Sequence, residues 1–547
     1  MAIILSLAVF YAYAKWYAPQ PAPQSTTSQQ TQQIQQKPGS TAGSQQPTTV
    51  SLTASSQAPG HLVIRENGAF SISKLNNDFI SAELSSNGGS FVSWILKQFH
   101  SGHSEETPLI NLLNPEKAEE ALGLTFGDSH LDSLPQDYVP VDKNNLKWEA
   151  NNLQVTKSFV LDEKNNPYVV DMNVTFENKG TTPLVLSPRV WIEKNQKTQE
   201  KKTGLFSFLN PPPDFIKPML FSEGKLKAYN NVKKLATKEE QTGPIYWTGL
   251  TDRYFLTALI SRQTSDNVVV DLGKLSDETG DKIYTSLSYG TVTLKPGDKL
   301  EQKYSAYFGP KKREELVKLG VNLERCVDYG WFSFVALPIL WLLKFFHGIF
   351  GNWGVTIIVL TFFIKLLLHP VNKKAMGSMK AMQKLQPEMT ALREKYKDNK
   401  EKLNVEMMQL FKNRKVNPMS GCLPMVLQMP VYFALYRVLY NAIELYHAPF
   451  FWYYRDLSSP DPYMVAPIIL GILMALQQKL TPNTSVDPAQ QKMMMIMPLM
   501  FISFMLFLPS GLVIYILVNT LMSVIQQYMI QHDLSGVGLF KKVFRMS

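Results

Sequence analysis

Apolar and polar positions divide this chain into two unlike parts. From Trp331 onward the apolar residues come in long runs: Trp331–Phe350, Gly351–His369, Gly421–Tyr446, Tyr463–Gln478, Met493–Leu508 and Gly511–Ile530. About 20 apolar residues make a helix that crosses a bilayer. The last two runs are parted only by Pro509-Ser510-Gly511, which reads as a tight hairpin. Before Trp331 the runs are short and bounded by turn residues. Leu62–Arg65, Phe79–Leu84, Pro167–Phe176, Asn267–Leu272 and Tyr284–Leu294 are rich in β-forming residues, and Pro167–Phe176 alternates at period two. Strands with no helical pattern between them predict an all-β antiparallel sandwich over residues 61–319.

The ends of the chain follow other patterns. Ala2–Ala14 is apolar and is followed by Lys15, Trp16 and Tyr17, which predicts an uncleaved membrane anchor over residues 1–17. Residues 18–60 are dominated by Gln, Ser, Thr and Pro with Lys37 as the sole charge, a composition that cannot bury a core and predicts a disordered linker. Lys311–Asp328 reads as a charged helical connector. The run Trp331–Phe350 holds Pro338, Lys344 and His347, so it either spans or lies flat as an amphipathic helix.

Charge settles that choice and gives the rest a direction. The net charge is +10, and most of the excess lies beside the long apolar runs. Segment 371–420 carries twelve basic and five acidic residues, 479–492 two and one, and 532–547 three and one. Segment 447–462 has one Arg and two Asp. Basic loops stay in the cytoplasm, which puts the β domain on the exported side and 320–350 flat on the outer face. Six spans result, the anchor and five more, with both termini cytoplasmic. Segment 371–420 is helical by composition and predicts a cytoplasmic helical hairpin, with Pro387 kinking or restarting its first arm. Met376, Met379, Met382, Met407 and Met408 lie in it, either to pack the two arms or to contact a substrate or partner.

The chemistry is sparse. There is no nucleic-acid motif, nucleophile elbow or phosphate loop, and no cofactor or metal is implied by the spacing of Cys326 and Cys422. His100 and His103, beside Glu105 and Glu106, form a loose cluster that reads as a polar surface loop. The unusual residue is Lys365, inside the run Gly351–His369. A cation in a span costs about 2.5–3.5 kcal/mol on insertion scales. Lying four residues before His369, it either snorkels to the interface or faces a wet cavity. Thr361 is one turn away, Gln428 lies in the next span, and Tyr515, Asn519, Ser523 and Gln526 form a polar stripe in the last. Arg437 either pairs with Glu444 near the interface or contributes to the cavity.

These residues resemble the YidC-type membrane protein insertase family, in its Gram-negative form. The resemblance is carried by Val327-Asp-Tyr-Gly-Trp331, Gly351-Asn-Trp-Gly354, His369-Pro370, Leu385-Gln-Pro387, Val416-Asn-Pro418, Gly421-Cys422, Gln428-Met-Pro430, Asp487-Pro-Ala-Gln-Gln491 and Pro509-Ser-Gly511. It implies a polytopic α-helical protein of the bacterial inner membrane with a periplasmic β domain and no enzymatic activity. Five spans would enclose a hydrophilic groove, open to the cytoplasm and to lipid, lined by Lys365, Thr361, Gln428, Tyr515, Ile516, Asn519 and Ser523. Nascent membrane proteins, the Sec translocon, the ribosome and the lipid bilayer are the partners implied. The family's groove charge is usually arginine, and lysine keeps the charge but not the planar fork. A small-solute or ion transporter and a membrane-tethered carbohydrate enzyme are the competing classes, and the absence of an inverted repeat speaks against the transporter.

Overall fold

The structure, a computed structural model, describes residues 71–531 apart from 103–105, 163–165, 197–214, 231–234, 236–237, 264–266, 278–279, 328, 398, 415, 417–422 and 481–487. The expected anchor, the linker, His103, Cys422 and the basic tail 532–547 lie outside the described residues.

Period-two alternation becomes strand geometry where it was expected. In Val169–Asn178, Val170, Met172, Val174 and Phe176 are buried while Asp171, Asn173 and Thr175 are half-exposed. This strand lies between Lys299–Pro310 and Leu153–Leu161, with Met172 opposite Tyr304 and Phe159. Two nine-stranded antiparallel sheets result, with a two-stranded ribbon beside them. In one, Ser90–His100 and Glu120–Thr125 lie next to each other, and in the other, Ile245–Thr251 and Phe255–Ser261 do. Aromatic rings fill the space between the sheets. Phe91 meets Phe159 edge-on at 5.2 Å and Trp94 lies 4.6 Å from Phe308, each pair joining one sheet to the other. The sandwich has more strands than the short runs predicted.

The charged connector is only briefly helical. It forms α1 (Arg313–Val317) and then a 3-10 turn, Leu323–Cys326, that buries Leu323 and Cys326. The helical body follows. Its helices are α2 (Ser333–Phe350), α3 (Trp353–Lys384), α4 (Gln386–Lys395), α5 (Lys400–Asn413), α6 (Leu423–Asn441), α7 (Val465–Leu480), α8 (Pro488–Met505) and α9 (Ser510–Gln531). Among the described residues, α2, the Trp353–Lys373 part of α3 and the Ser510–Met529 part of α9 are long and apolar enough to cross a membrane, and α7 is a shorter apolar helix.

The motif Gly351-Asn-Trp-Gly354 is a corner with a task for each residue. Gly351 closes α2 in the left-handed region at φ 64°, which a side chain disfavours. The Asn352 side chain accepts from the Val355 amide to cap α3 and donates to the Phe450 carbonyl at 2.9 Å. Trp353 stacks on His347. Gly354 admits Phe450, whose ring would lie 2.1 Å from any Cβ added there.

α3 continues without a break through Pro370 to Lys384, so the apolar run and the first arm of the following segment are one helix. A new helix starts at Gln386 with Pro387 in its first turn. The end of α3, α4 and α5 pack through Met382, Leu385, Met389, Leu403, Met407 and Phe411. Met382 and Met407 are buried there and join the arms. Met408 is 62% exposed and Met376 half-buried. The side chain of Met379 lies outside the described residues.

Candidate functional site

α3 and α9 run side by side in the same direction, and polar side chains meet at successive levels between them. At the N-terminal ends the contact is apolar and tight, with Ile357 Cδ1 3.3 Å from where a Cβ on Gly511 would sit. Leu512 and Val513 are fully buried at this end, beside Leu445 and Leu457. One turn on, the Tyr515 hydroxyl accepts from the Gln428 amide of α6 at 3.1 Å. Two turns further, or about 12 Å along the axis, Lys365 Nζ donates to Ser523 Oγ at 2.7 Å. Ser523 in turn donates to the Asn519 carbonyl at 2.9 Å. The last level joins Gln526 Nε2 to His369 Nδ1 at 2.9 Å.

The environment of Lys365 is the unusual part. The residue is 9% exposed, and no acidic side chain among the described residues pairs with it. A buried cation without a counter-ion is costly by several kcal/mol. One serine hydroxyl offsets little of that, and an ammonium has three donors to satisfy. Among the described residues the Ser523 hydroxyl is the one acceptor this ammonium reaches.

The structure brings Lys365 to Ser523, whose hydroxyl returns to the Asn519 backbone carbonyl of its own helix, and Gln428 to Tyr515. It does not bring Thr361 to Lys365: that hydroxyl is buried and donates to the Ile357 carbonyl of its own helix at 2.6 Å. Ile516 is buried in the apolar core of the helical body. The pairing of Arg437 with Glu444 does not form. Glu444 binds Lys344 of α2 at 2.7 Å, Lys344 also reaches Glu314 of α1 at 2.5 Å, and Arg437 is exposed. α2 supplies a cation closer to Glu444 than the neighbour two turns back on the same stretch of chain, so the tertiary contact wins. The His369–Gln526 level was not singled out from sequence, although Gln526 belongs to the polar stripe and His369 ends the apolar run. At the loose histidine cluster, His100 Nδ1 contacts the Thr107 carbonyl at 2.8 Å, as a surface turn does.

The β domain sits directly on the outer end of α6. Arg253 Nε donates to the Tyr440 carbonyl at 2.8 Å and its guanidinium lies 3.7 Å from the Tyr440 ring centre. The Tyr446 hydroxyl donates to the His100 carbonyl at 2.6 Å. Ile443 is part of the β domain's own hydrophobic core.

A β-rich domain seated on a body of apolar helices, three of them long and apolar enough among the described residues to cross a membrane, defines a membrane protein. Residues 73–342 match the family described as YidC periplasmic domain, and residues 345–536 the family described as 60Kd inner membrane protein. The membrane protein insertase YidC of Geobacter sulfurreducens is 33% identical over 98% of each chain, and that of Citrifermentans bemidjiense is 36% identical over 83% of this chain and 84% of its own. A solved structure of an active YidC insertase with its first transmembrane domain resolved covers 84% of this chain and 94% of that one, at 17% identity and a TM-score of 0.36. The chain belongs to the YidC family of membrane protein insertases, and it is an inner-membrane protein with a periplasmic domain.

Proposed function

We propose that this protein inserts nascent membrane proteins into the inner membrane, using the space beside Lys365 as the entry for their polar, acidic segments. The observation that carries the reading is the incomplete coordination of that ammonium. A polar tail crossing hydrocarbon costs several kcal/mol per unsatisfied group. A polar recess reaching partway through the bilayer shortens the dry path. Lys365 attracts a passing Asp or Glu transiently, and Ser523 and Asn519 offer hydrogen bonds in place of water. The apolar segment of the substrate then moves sideways into lipid, driven by burial at about 25 cal/mol per Å².

The finer layout belongs to the same proposal. Six spans place both termini in the cytoplasm, with residues 18–350 periplasmic, 61–319 as the β domain and 320–350 as a connector and interfacial helix. Residues 371–420 are a cytoplasmic hairpin whose exposed Met408 and half-buried Met376 meet incoming chains. The tight apolar packing around Leu512 supports closure of the recess on the outer side. Cooperation with the Sec translocon, and contact with ribosomes through the basic hairpin and tail, complete the scheme. Nothing favours the transporter.

The test is insertion in a strain depleted of its own insertase. Lys365→Arg is expected to sustain insertion of substrates with acidic tails, and Lys365→Glu to lose it by about tenfold or more, the equivalent of one favourable charge contact turned repulsive. Equal rescue by the two variants would sink the charge-attraction mechanism.

A further inference from the structure

The segment between α6 and α7 is a rigid scaffold with an apolar crown. Its inner face is fixed: Leu457 is fully buried and its amide donates to the Ala448 carbonyl at 3.0 Å. The Tyr454 hydroxyl donates to Asp461 Oδ2 at 2.8 Å, and the same oxygen accepts from the Ala466 amide at the start of α7. Ser510 and Gly511 donate to the Ser459 and Leu457 carbonyls, so the hairpin before α9 is stitched to it as well. On this scaffold Phe451, Trp452, Tyr463 and Met464 stand out, with Trp452 82% exposed. Their rings form one cluster, since Tyr453 meets both Trp452 and Tyr463 edge-on at 5.0 Å.

Two facts separate this crown from ordinary surface residues. Trp452 and Met464 both have left-handed backbones, at φ 60° and 57°. Such a conformation is a rarity for bulky residues and costs of order 1–3 kcal/mol. Here that strain turns two large apolar side chains outward. The second fact is continuity. Met464 is followed at four-residue steps by Ile468, Ile472 and Leu476, all exposed. Ile468, Ile472 and Leu476 are one face of α7, Met464 stands just before its first turn at the same end, and on an apolar helix of a membrane protein that face meets lipid. The crown is the outer end of a lipid-facing stripe. Arg455 is exposed beside it.

We infer that Phe451, Trp452, Tyr463 and Met464 form a lipid-interface site, immersed at the headgroup boundary of the outer leaflet with Arg455 toward the phosphates. Aromatic side chains favour that boundary because one edge is apolar and the other polar. Because the scaffold is tied to α9 and to α3 through Phe450 and Asn352, the crown sets the depth at which the Lys365 level sits in the bilayer. The inference goes beyond the insertion mechanism and does not depend on it.

The test needs no insertion assay. The full chain is placed in nanodiscs of phosphatidylcholine and phosphatidylglycerol, and the emission of Trp452 is taken as the difference between the parent protein and Trp452→Phe, which keeps a ring on the scaffold. With lipids brominated near the headgroup end of the acyl chain this difference emission is expected to fall by about half, as for side chains of the aromatic belt, while iodide in the buffer leaves it unchanged. Quenching by iodide and not by bromolipid would put the crown in water and overturn the site. Insensitivity to both would put it against protein, a second copy or another chain, and would overturn it equally.

Discussion

Two of the buried lysines, one in each region, are treated differently. In the β domain Lys157 is wholly buried, and its ammonium donates to three backbone carbonyls, those of Gly88, Gly89 and Leu122, at 2.8, 3.0 and 3.2 Å. The Tyr138 ring lies 4.8 Å away. Room for this arrangement depends on Gly89, at φ +54°, where a Cβ would come within 3.2 Å of the lysine chain. In the helical body Lys365 is nearly as buried, yet Ser523 is the one acceptor it reaches among the described residues. The first cation is used up by the fold. The second is held by one hydroxyl among the described residues, which is why the proposed role falls on it and not on Lys157.

The comparison breaks if either lysine behaves like the other. The largest effect is expected from Lys157→Met, which strands three carbonyls at about 1 kcal/mol or more each and so costs about 3 kcal/mol or more. Thermal unfolding followed by β-sheet circular dichroism reads this directly. Lys365→Met is expected to leave that unfolding unchanged and to lower insertion of acidic-tailed substrates by about tenfold, the loss of one charge-assisted contact. A drop in melting temperature as large as that of Lys157→Met would recast Lys365 as structural. Ser523→Ala sharpens the point with a smaller effect, about two- to threefold on insertion rate, because a net hydrogen bond is worth ~0.5–1.5 kcal/mol and the cation itself remains.

The same buried lysine also predicts a pH dependence confined to the β domain. Burial pulls the Lys157 amine down to about 7, from about 10.4 in an unfolded chain. Between those values the unfolded chain binds more protons, so stability rises as pH increases from about 7 toward 10 and is lost as pH falls back through 7. Burial pushes Glu120 up to about 7, against the hydrogen bond from Ser90. Its contribution has the opposite sign, present below the ordinary carboxylate value and lost as pH rises through about 7. A shallow stability minimum near neutral pH is the expected outcome, read as the midpoint of unfolding across pH. Glu120→Gln should flatten the acid side and, by removing the carboxylate that raises the Lys157 amine, lower that amine further.

Much of the architecture was legible where a physical period repeats. The alternation in Pro167–Phe176 marked a half-buried strand, and Pro387 marked a helix start. Lys365 stood out because a charge in an apolar run has no cheap reason to be there. Lys157 carried a signal that was passed over. In Leu153–Leu161 the inward positions are Leu153, Val155, Lys157 and Phe159, so period two already aimed that lysine at the core. Other features have no local signature. The ion pair of Lys344 with Glu444 and Glu314 joins three separate segments, and nothing in the spacing of Arg437 and Glu444 foretells that a distant lysine takes the acid. The order of strands in the two sheets is likewise a product of long-range pairing.

Ile443 has a consequence for how the protein comes into being. This residue, which follows α6, completes the hydrophobic core of a domain encoded far upstream, and Tyr446 packs against the same core. Domains generally fold as units in the order they are synthesised. Here the β domain leaves the ribosome first yet lacks a piece of its interior until the chain has been made through Tyr446. Its final closure is therefore timed by the arrival of α6, so that the exported half matures only once the helical half has begun to assemble beneath it.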